Sequence, residues 1–226
     1  RSLLWQQGVT LGLIAFLTAV LIVQTIADYT LTLRFSAVPE EIVSAWQGMR
    51  SGDFSKGAWE EMFTLLSATL LHGDFGHLSG NMLFLWIFAA IASELLGVRW
   101  VLPIFVFTGI CGSICHIALN ADSPIPCLGA SGAVMGFQGL YLAMAVRWHL
   151  PDPHVWPISR PVPPSKLAMV GIFSLILDFN DYIAGSIGVA YSAHLGGFIG
   201  GFFLGSFIVP MPRVALPRYT AEHQDL

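Results

Sequence analysis

Four polar side chains stand out because they lie within otherwise apolar sequence, where burying a polar group is costly. Ser131 lies in the sequence GASGA, His194 lies in AHLGG, and His77 and Asn81 lie four positions apart in HLSGN. A neutral imidazole can accept the proton of a serine hydroxyl that attacks a carbonyl, and two donors on one helix face can stabilise the resulting oxyanion. The pattern predicts a serine hydrolase with Ser131 as nucleophile and His194 as general base. His77, Asn81 and the backbone N–H of Ser131 are the predicted oxyanion contacts.

Each of these residues also has a structural interpretation when it is taken alone. Ser131 between glycines is typical of a small-residue contact between membrane helices, and His194 can serve as a structural hydrogen-bonding group. The catalytic interpretation therefore depends on the elements that would have to bring the residues together.

The composition predicts helices that cross a lipid bilayer. Hydrophobic residues make up 55% of the 226 residues and charged residues only 11%, whereas soluble domains carry about 25% charged residues. We expect an all-α membrane protein, with a single domain over residues 1–226, six transmembrane helices and a long outer loop over 35–76. The first apolar stretch is too long for a signal-peptide core, so we expect it to be retained as a helix. The predicted helices cover residues 6–28, 77–96, 100–120, 130–148, 166–182 and 191–210.

Basic residues fall unevenly on the two sides of these helices. Seven lie on one side (Arg1, Arg99, Arg147, Arg160, Lys166, Arg213, Arg218) and three on the other (Arg34, Arg50, Lys56). Because cytoplasmic loops carry the excess of Lys and Arg, both termini are expected in the cytoplasm. The second, fourth and sixth helices then start at the outer side, and His77, Ser131 and His194 all lie near those starts.

Glycines predict that the fourth and sixth helices are in contact. Spacings of three and four residues between small side chains let membrane helices approach closely. Such faces are formed by Gly132, Gly136 and Gly139 on the fourth helix and by Gly196, Gly197, Gly200, Gly201 and Gly205 on the sixth.

Taken in chain order across six predicted helices, the motifs around His77 and Asn81, Ser131 and His194 resemble those of the rhomboid intramembrane serine proteases. The resemblance covers roughly Trp59 to Phe203. It implies a six-helix bundle of the bacterial type in the inner membrane, with a Ser131–His194 dyad, oxyanion contacts from His77 and Asn81, and neither metal nor soluble cofactor. It also implies membrane-protein substrates that are cut within or next to a transmembrane segment. Such a segment would enter sideways between the second and fifth helices, and a polar cavity beneath the outer loops would supply water.

Two positions depart from the family's pattern. Relatives often have Trp-Arg in the first loop where this sequence has Trp59-Glu60. They commonly have an aromatic residue one turn after the serine, where this sequence has Met135. A thioether packs adaptably but orients a neighbouring ring less firmly, so support of His194 is expected to be softer.

Other segments have structural interpretations. We interpret Asp178, Asn180 and Asp181 as solvated caps of the outer end of the fifth helix, with a proton or ion pathway as the functional alternative. The outer loop is expected to include interfacial helices. The connection Pro151 to Pro164 holds six of the 13 prolines and is expected to be an extended linker. The Gly-rich residues 184–188 predict a loop before a helix that starts near Tyr191.

Charge and cysteine content exclude several classes of protein. A net charge of −4 gives no basic field, so nucleic acid is not an expected partner. The odd number of cysteines predicts no disulfide framework. Cys111, Cys115 and His116 lack a fourth ligand, so no metal site is predicted.

Two other functions remain as alternatives. A catalytically silent rhomboid-like protein would bind membrane proteins without cutting them and would be expected to lack Ser131 or His194, both of which are present. A transporter is expected to have a broken helix at the midplane and symmetric repeats, and neither is clear in the sequence.

Overall fold

The computed structural model describes residues 3–27, 29–153, 162–184 and 189–217. Within these ranges the chain forms nine α-helices, with 3-10 turns at Ala68–Leu70 and Val98–Trp100. The helices are α1 (Leu3–Ile26), α2 (Tyr29–Phe35), α3 (Pro39–Arg50), α4 (Lys56–Ser67), α5 (Phe75–Leu96), α6 (Val101–Leu119), α7 (Ser131–Arg147), α8 (Pro164–Ile183) and α9 (Tyr191–Phe203).

Three segments in the described part of the chain are long and apolar enough to cross a membrane, namely Gln7–Ile26, Phe75–Leu96 and Val98–Leu119. α7 has 17 residues and α9 has 13. The fold is therefore mostly helical with three candidate membrane spans. The helices α1 and α5 to α9 overlap the six predicted ranges, while the six-span count and the single-domain boundary stay predictions.

The last predicted helix, over residues 191–210, is α-helical only as far as Phe203 and continues as a π-helical turn over Leu204–Ile208. The guanidinium of Arg147 donates a hydrogen bond to the Gly205 carbonyl, with 2.7 Å between Nη1 and O. A helix leaves its last carbonyls without partners inside the helix, so this side chain from the end of α7 satisfies one of them. Pro210 lies just beyond Ile208 and cannot continue the backbone ladder.

The start of α5 is fixed by a side-chain cap. Asp74 Oδ1 accepts a hydrogen bond from the His77 backbone N–H at 2.8 Å, which satisfies one of the free donors of the first turn. The helix ends before Gly97, whose φ of +96° favours glycine. His77 is therefore held in the first turn of α5.

The most closely packed part of the bundle is formed by α6, α7 and α9. A Cβ atom on Gly197 would collide with the Gly132 carbonyl, and one on Gly201 would collide with the Gly136 carbonyl. The predicted contact between the fourth and sixth helices is therefore confirmed. Bulky side chains hold helix axes about 8–10 Å apart, whereas glycines let these two backbones touch.

The helix α8 packs against α7 and α9 and leaves large apolar side chains on its outer surface. Those exposed are Met169, Val170, Ile172, Phe173, Ile176, Leu177, Phe179 and Ile183. A continuous apolar surface of this kind is unfavourable in water but suits contact with lipid tails.

The outer loop contains α3 and α4, so the prediction of helices there is confirmed, while their place at the membrane interface stays a prediction. Ala37 and Cys127 exchange two backbone hydrogen bonds, of 3.0 and 2.8 Å. The Ser67 hydroxyl donates to the Phe35 carbonyl at 2.8 Å. The first pair ties the connection between α6 and α7 to the outer loop, the Ser67 bond joins two parts of that loop, and Ser131 directly follows the connection.

One short strand pair was missed by the all-α prediction. β1 (Trp148–His149) pairs antiparallel with β2 (Leu216–Pro217), because the chain after the π-helical turn returns along the end of α7. The predicted linker Pro151 to Pro164 falls largely on residues 154–161, and the predicted loop over 184–188 falls largely on 185–188; both lie outside the described residues.

Candidate active site

Ser131 is the first residue of α7 and lies two residues after a glycine that no other residue could replace without strain. Gly129 has a φ of +136°, and its N–H donates to the Ala68 carbonyl at 2.9 Å. A Cβ atom at position 129 would lie 2.8 Å from Cε1 of His77 and 3.7 Å from Oγ of Ser131. The His77 ring and the Ser131 hydroxyl therefore border the same glycine.

His194 lies in the first turn of α9, next to the point where α7 and α9 touch. The Ala193 carbonyl oxygen is 3.2 Å from the position that a Cβ atom on Gly132 would occupy. The residues adjacent to Ser131 and His194 are therefore in backbone contact, and both functional side chains are half-buried. Within the described residues, no hydrogen bond joins the Ser131 hydroxyl to the His194 ring.

The His77 ring is oriented by its neighbours. The Gly73 N–H donates to His77 Nδ1, with 3.5 Å between the nitrogens, and the His72 ring lies edge-on with 5.3 Å between ring centroids. Because Nδ1 accepts, a neutral His77 ring carries its proton on Nε2. Nε2 lies 2.9 Å from the position of a Cβ atom on Gly129. A hydrogen-bond donor therefore lies beside Gly129, two residues before Ser131.

Asn81 lies one turn further along α5 and is only 7% exposed. Its Nδ2 has no hydrogen-bond partner among the described residues. Leaving a buried donor unpaired costs about 1–3 kcal/mol. Such a donor is available to a ligand, as the predicted oxyanion role requires.

Asp178 has a different place from the one that the sequence predicted. Its Oδ2 accepts a hydrogen bond from Nδ1 of His194 at 2.7 Å, and its side chain is only 21% exposed. The interpretation of Asp178 as a solvated cap of the fifth helix is therefore wrong. The sequence did contain a signal, since a carboxylate within an apolar segment calls for a partner. The partner is 16 residues away on another helix, so the local pattern could not identify it.

The structure shows which contacts are made at the two positions that depart from the family's pattern. The aromatic ring against His194 comes from Tyr191, edge-on with 6.4 Å between ring centroids, while Met135 is buried within α7. Glu60 pairs with Arg34 and with Lys56, each at 3.4 Å. These ion pairs are exposed and contribute little to stability.

The other polar candidates of the sequence connect α6 to α9. The His116 ring shares a hydrogen bond with the Ser192 hydroxyl at 2.8 Å, and Cys111 and Cys115 lie against Gly200 and Gly196. Burial raises the pKa of Cys127, in the connection that leads to α7, to about 11. Its thiol is therefore protonated at neutral pH and has little nucleophilic character.

Two cavities among the described residues lie away from Ser131 and His194. One of about 650 Å³ lies between α3 and α4, and one of about 410 Å³ lies between α7 and α8. Neither is lined by Ser131 or His194, so the predicted water-filled cavity at the dyad stays a prediction.

Comparison with known proteins relates this geometry to a family. The family model described as Rhomboid domain matches residues 59–211, a range that includes Ser131, His194, His77 and Asn81. The chain belongs to the rhomboid family. With its apolar helices, this rhomboid chain is an integral membrane protein.

Three relatives illustrate the similarity. The rhomboid chain is 28% identical to RHOMBOID-like protein 5 of Arabidopsis thaliana over 168 residues, covering 74% of this chain and 51% of that protein. It is 28% identical to Rhomboid protease GluP of Bacillus subtilis (strain 168) over 180 residues, covering 80% of this chain and 32% of that protein. It is 31% identical to RHOMBOID-like protein 6, mitochondrial, of Arabidopsis thaliana over 164 residues, 73% of this chain and 49% of that protein. The chain thus spans from about a third to about half of the length of these relatives.

Proposed function

We propose that this chain is an intramembrane serine endopeptidase that cleaves transmembrane segments of other membrane proteins with a dyad of Ser131 and His194. The observation that supports it most is the backbone contact between Gly132 and Ala193. This contact brings together the first turns of α7 and α9, which carry the hydroxyl and the imidazole.

In the proposed reaction, these two side chains and water make and break the covalent bonds. As Ser131 Oγ attacks the scissile carbonyl, Nε2 of His194 takes the hydroxyl proton, and a tetrahedral oxyanion forms. Collapse of this intermediate breaks the C–N bond, and the imidazolium gives its proton to the leaving amine. Water then attacks the acyl-enzyme while the same imidazole accepts its proton. Collapse of this second tetrahedral intermediate breaks the bond between the acyl carbon and Ser131 Oγ, the imidazolium returns its proton to Oγ, and the carboxylic acid product leaves.

Three donors are proposed to stabilise the oxyanion. The Ser131 N–H lies at the start of α7, where backbone donors lack partners within the helix and the helix dipole is positive. His77 Nε2 lies beside Gly129, two residues before Ser131, and Asn81 Nδ2 has no partner in the described structure. Losing one such donor typically lowers kcat by about 10²- to 10³-fold.

The membrane setting determines which substrates we propose. The scissile peptide bond of a substrate must reach Ser131 from the lipid. Beside α9, the helix α8 exposes a large apolar surface. We propose a bacterial inner-membrane protein with cytoplasmic termini, supported by the uneven distribution of Lys and Arg. Substrate segments then enter between α5 and α8 and meet the dyad near the outer side.

The test uses cleavage of a single-span reporter by the purified chain in proteoliposomes. Ser131→Ala and His194→Ala are each expected to lower kcat by at least about 10³-fold, with thermal unfolding unchanged. Ser79→Ala is the matched control, because Ser79 is exposed on α5 and, among the described residues, its hydroxyl bonds only the Gly76 carbonyl. Cleavage by both variants at the unmodified rate contradicts the mechanism.

A catalytically silent rhomboid-like binder is the second candidate. In its favour, the described structure has no hydrogen bond between the Ser131 hydroxyl and the His194 ring. A fluorophosphonate probe separates the two functions, because an active dyad is labelled at Ser131 whereas a binder or a transporter is not labelled. A binder would also retain the uncut reporter after washing.

A further inference from the structure

Asp178 supports an inference that goes beyond the dyad. Its carboxylate and the His194 imidazole form a 2.7 Å hydrogen bond between side chains that are 21% and 14% exposed. Asp178 comes from α8 and His194 from α9, so the bond joins two helices and cannot be a local cap. Little water competes for the bond, and the ionised carboxylate makes it charge-assisted.

The chemistry of the two partners assigns the ring proton. An ionised carboxylate can only accept hydrogen bonds, so Nδ1 of His194 must be the donor. In a neutral ring, Nε2 is then without a proton and can accept one. This is the tautomer that a general base needs, and the bond to Asp178 also fixes the rotation of the ring.

We propose that Asp178 is a positioning residue for His194, an inference that rests on the proposed peptidase function. It holds the imidazole in the tautomer that can take the Ser131 proton. Its negative charge also stabilises the imidazolium that forms during acylation, and this stabilisation is strong where water is scarce. The site therefore works as a triad in which α8 supplies the third member.

A purely structural role for the bond between Asp178 and His194 makes the opposite prediction. If the bond only held α8 against α9, breaking it would free α8 and give substrate easier access, so cleavage would be unchanged or faster. A positioning role instead predicts slower chemistry with substrate binding preserved. Separate measurement of kcat and KM therefore distinguishes the two roles.

The experiment compares Asp178→Asn, Asp178→Ala and Asp178→Glu with the unmodified chain, using the single-span reporter in proteoliposomes. Asp178→Asn keeps the size of the side chain but can donate to Nδ1 and so permits the wrong tautomer. It is expected to lower kcat by about 10²- to 10⁴-fold, with KM changed less than about threefold. Asp178→Glu retains the charge and is expected to recover part of the lost kcat. Asp181→Asn is the matched control, because Asp181 is an exposed carboxylate on the same helix.

The outcomes separate this inference from the proposed function. An unchanged or higher kcat in Asp178→Asn, or a change in KM alone, overturns the positioning role while Ser131→Ala remains inactive. If Ser131→Ala still cleaves the reporter, the proposed function fails, whatever the Asp178 variants do.

A spectroscopic readout covers the case in which the Asp178 variants do not fold. In the unmodified chain labelled with ¹⁵N-histidine, the His194 signals are identified by their loss in His194→Ala. In the neutral ring they are expected to show a protonated Nδ1 and an unprotonated Nε2. An unprotonated Nδ1 in the neutral ring overturns the inference without any activity measurement.

Discussion

At the scale of single residues, the Asn81 amide is expected to lower stability while it supports activity. Its buried amide has an unpaired Nδ2, and replacing it with an apolar side chain of similar size removes that cost. Asn81→Leu is expected to raise the thermal unfolding temperature slightly and to lower kcat by about 10²- to 10³-fold. Thermal unfolding in detergent and reporter cleavage measure the two effects. A less stable variant with full activity would mean that the amide has a structural role instead.

Gly129 is the residue whose backbone conformation shapes the site. Gly129→Ala places a methyl group against the His77 ring and adds about 1–2 kcal/mol of left-handed strain. We expect both a lower unfolding temperature and a large loss of kcat. Gly97→Ala is the matched control, because Gly97 has a φ of +96° with nothing within 4 Å of an added Cβ. It should show a similar strain with activity retained, and an equal loss of kcat in both variants would contradict the steric argument.

At the scale of helices, the glycine contact between α7 and α9 determines whether the two functional side chains meet. Gly197→Ala would push its methyl group into the Gly132 carbonyl and force the helices apart. Overpacking of this kind costs about 1–3 kcal/mol, and we expect fluorophosphonate labelling of Ser131 to slow in parallel. Gly12→Ala on α1 has nothing within 4 Å of the added Cβ and should leave labelling unchanged. Normal labelling of Gly197→Ala would show that the site tolerates wider helix spacing.

The helix α8 exposes many apolar side chains and also carries the carboxylate of Asp178. Most of its large side chains are exposed and apolar, as a lipid-facing helix requires. The polar side chain of Asp178 instead forms a hydrogen bond with His194 on α9. The helix that faces the proposed substrate path is therefore also bonded to His194, the proposed general base.

At the scale of the whole molecule, a buried histidine links α1 to the outer loop. Gln24 of α1 accepts a hydrogen bond from the His72 N–H at 3.1 Å and donates one to the His72 carbonyl at 3.2 Å. The His72 side chain is 1% exposed. Burial, with a smaller contribution from the nearby His77, lowers the pKa of His72 to about 4.

This lowered pKa predicts how stability depends on pH. Between the usual value of 6.5 and about 4, the unfolded chain binds a proton at His72 that the folded chain does not. Stability is therefore fully present above pH 6.5 and is lost as the pH falls toward 4, by about 3 kcal/mol at most. Thermal unfolding between pH 7 and pH 4.5 measures the trend, and His72→Leu should flatten it. An equally steep trend in that variant would assign the effect to other groups.

Much of the fold follows from local sequence. Long apolar runs place helices near the predicted ranges, because the cost of exposing backbone polar groups to lipid makes a helix the default over any such run. Glycine spacing predicts that the fourth and sixth helices touch, since only close backbone approach uses that spacing. Residue types predict serine hydrolase chemistry, because polar groups within such runs are costly and need a function or a partner. The residues concerned are Ser131, His194, His77 and Asn81.

Tertiary structure alone decided which groups meet. The bond from Asp178 to His194 depends on how α8 packs on α9, which the sequence near either residue does not encode. The place of the His77 ring against Gly129, and of the Arg147 guanidinium on the Gly205 carbonyl, likewise depends on side chains from distant elements. Hydropathy and helix propensity are sums over neighbours along the chain, whereas a contact between two side chains is set by the packing of all the helices around them.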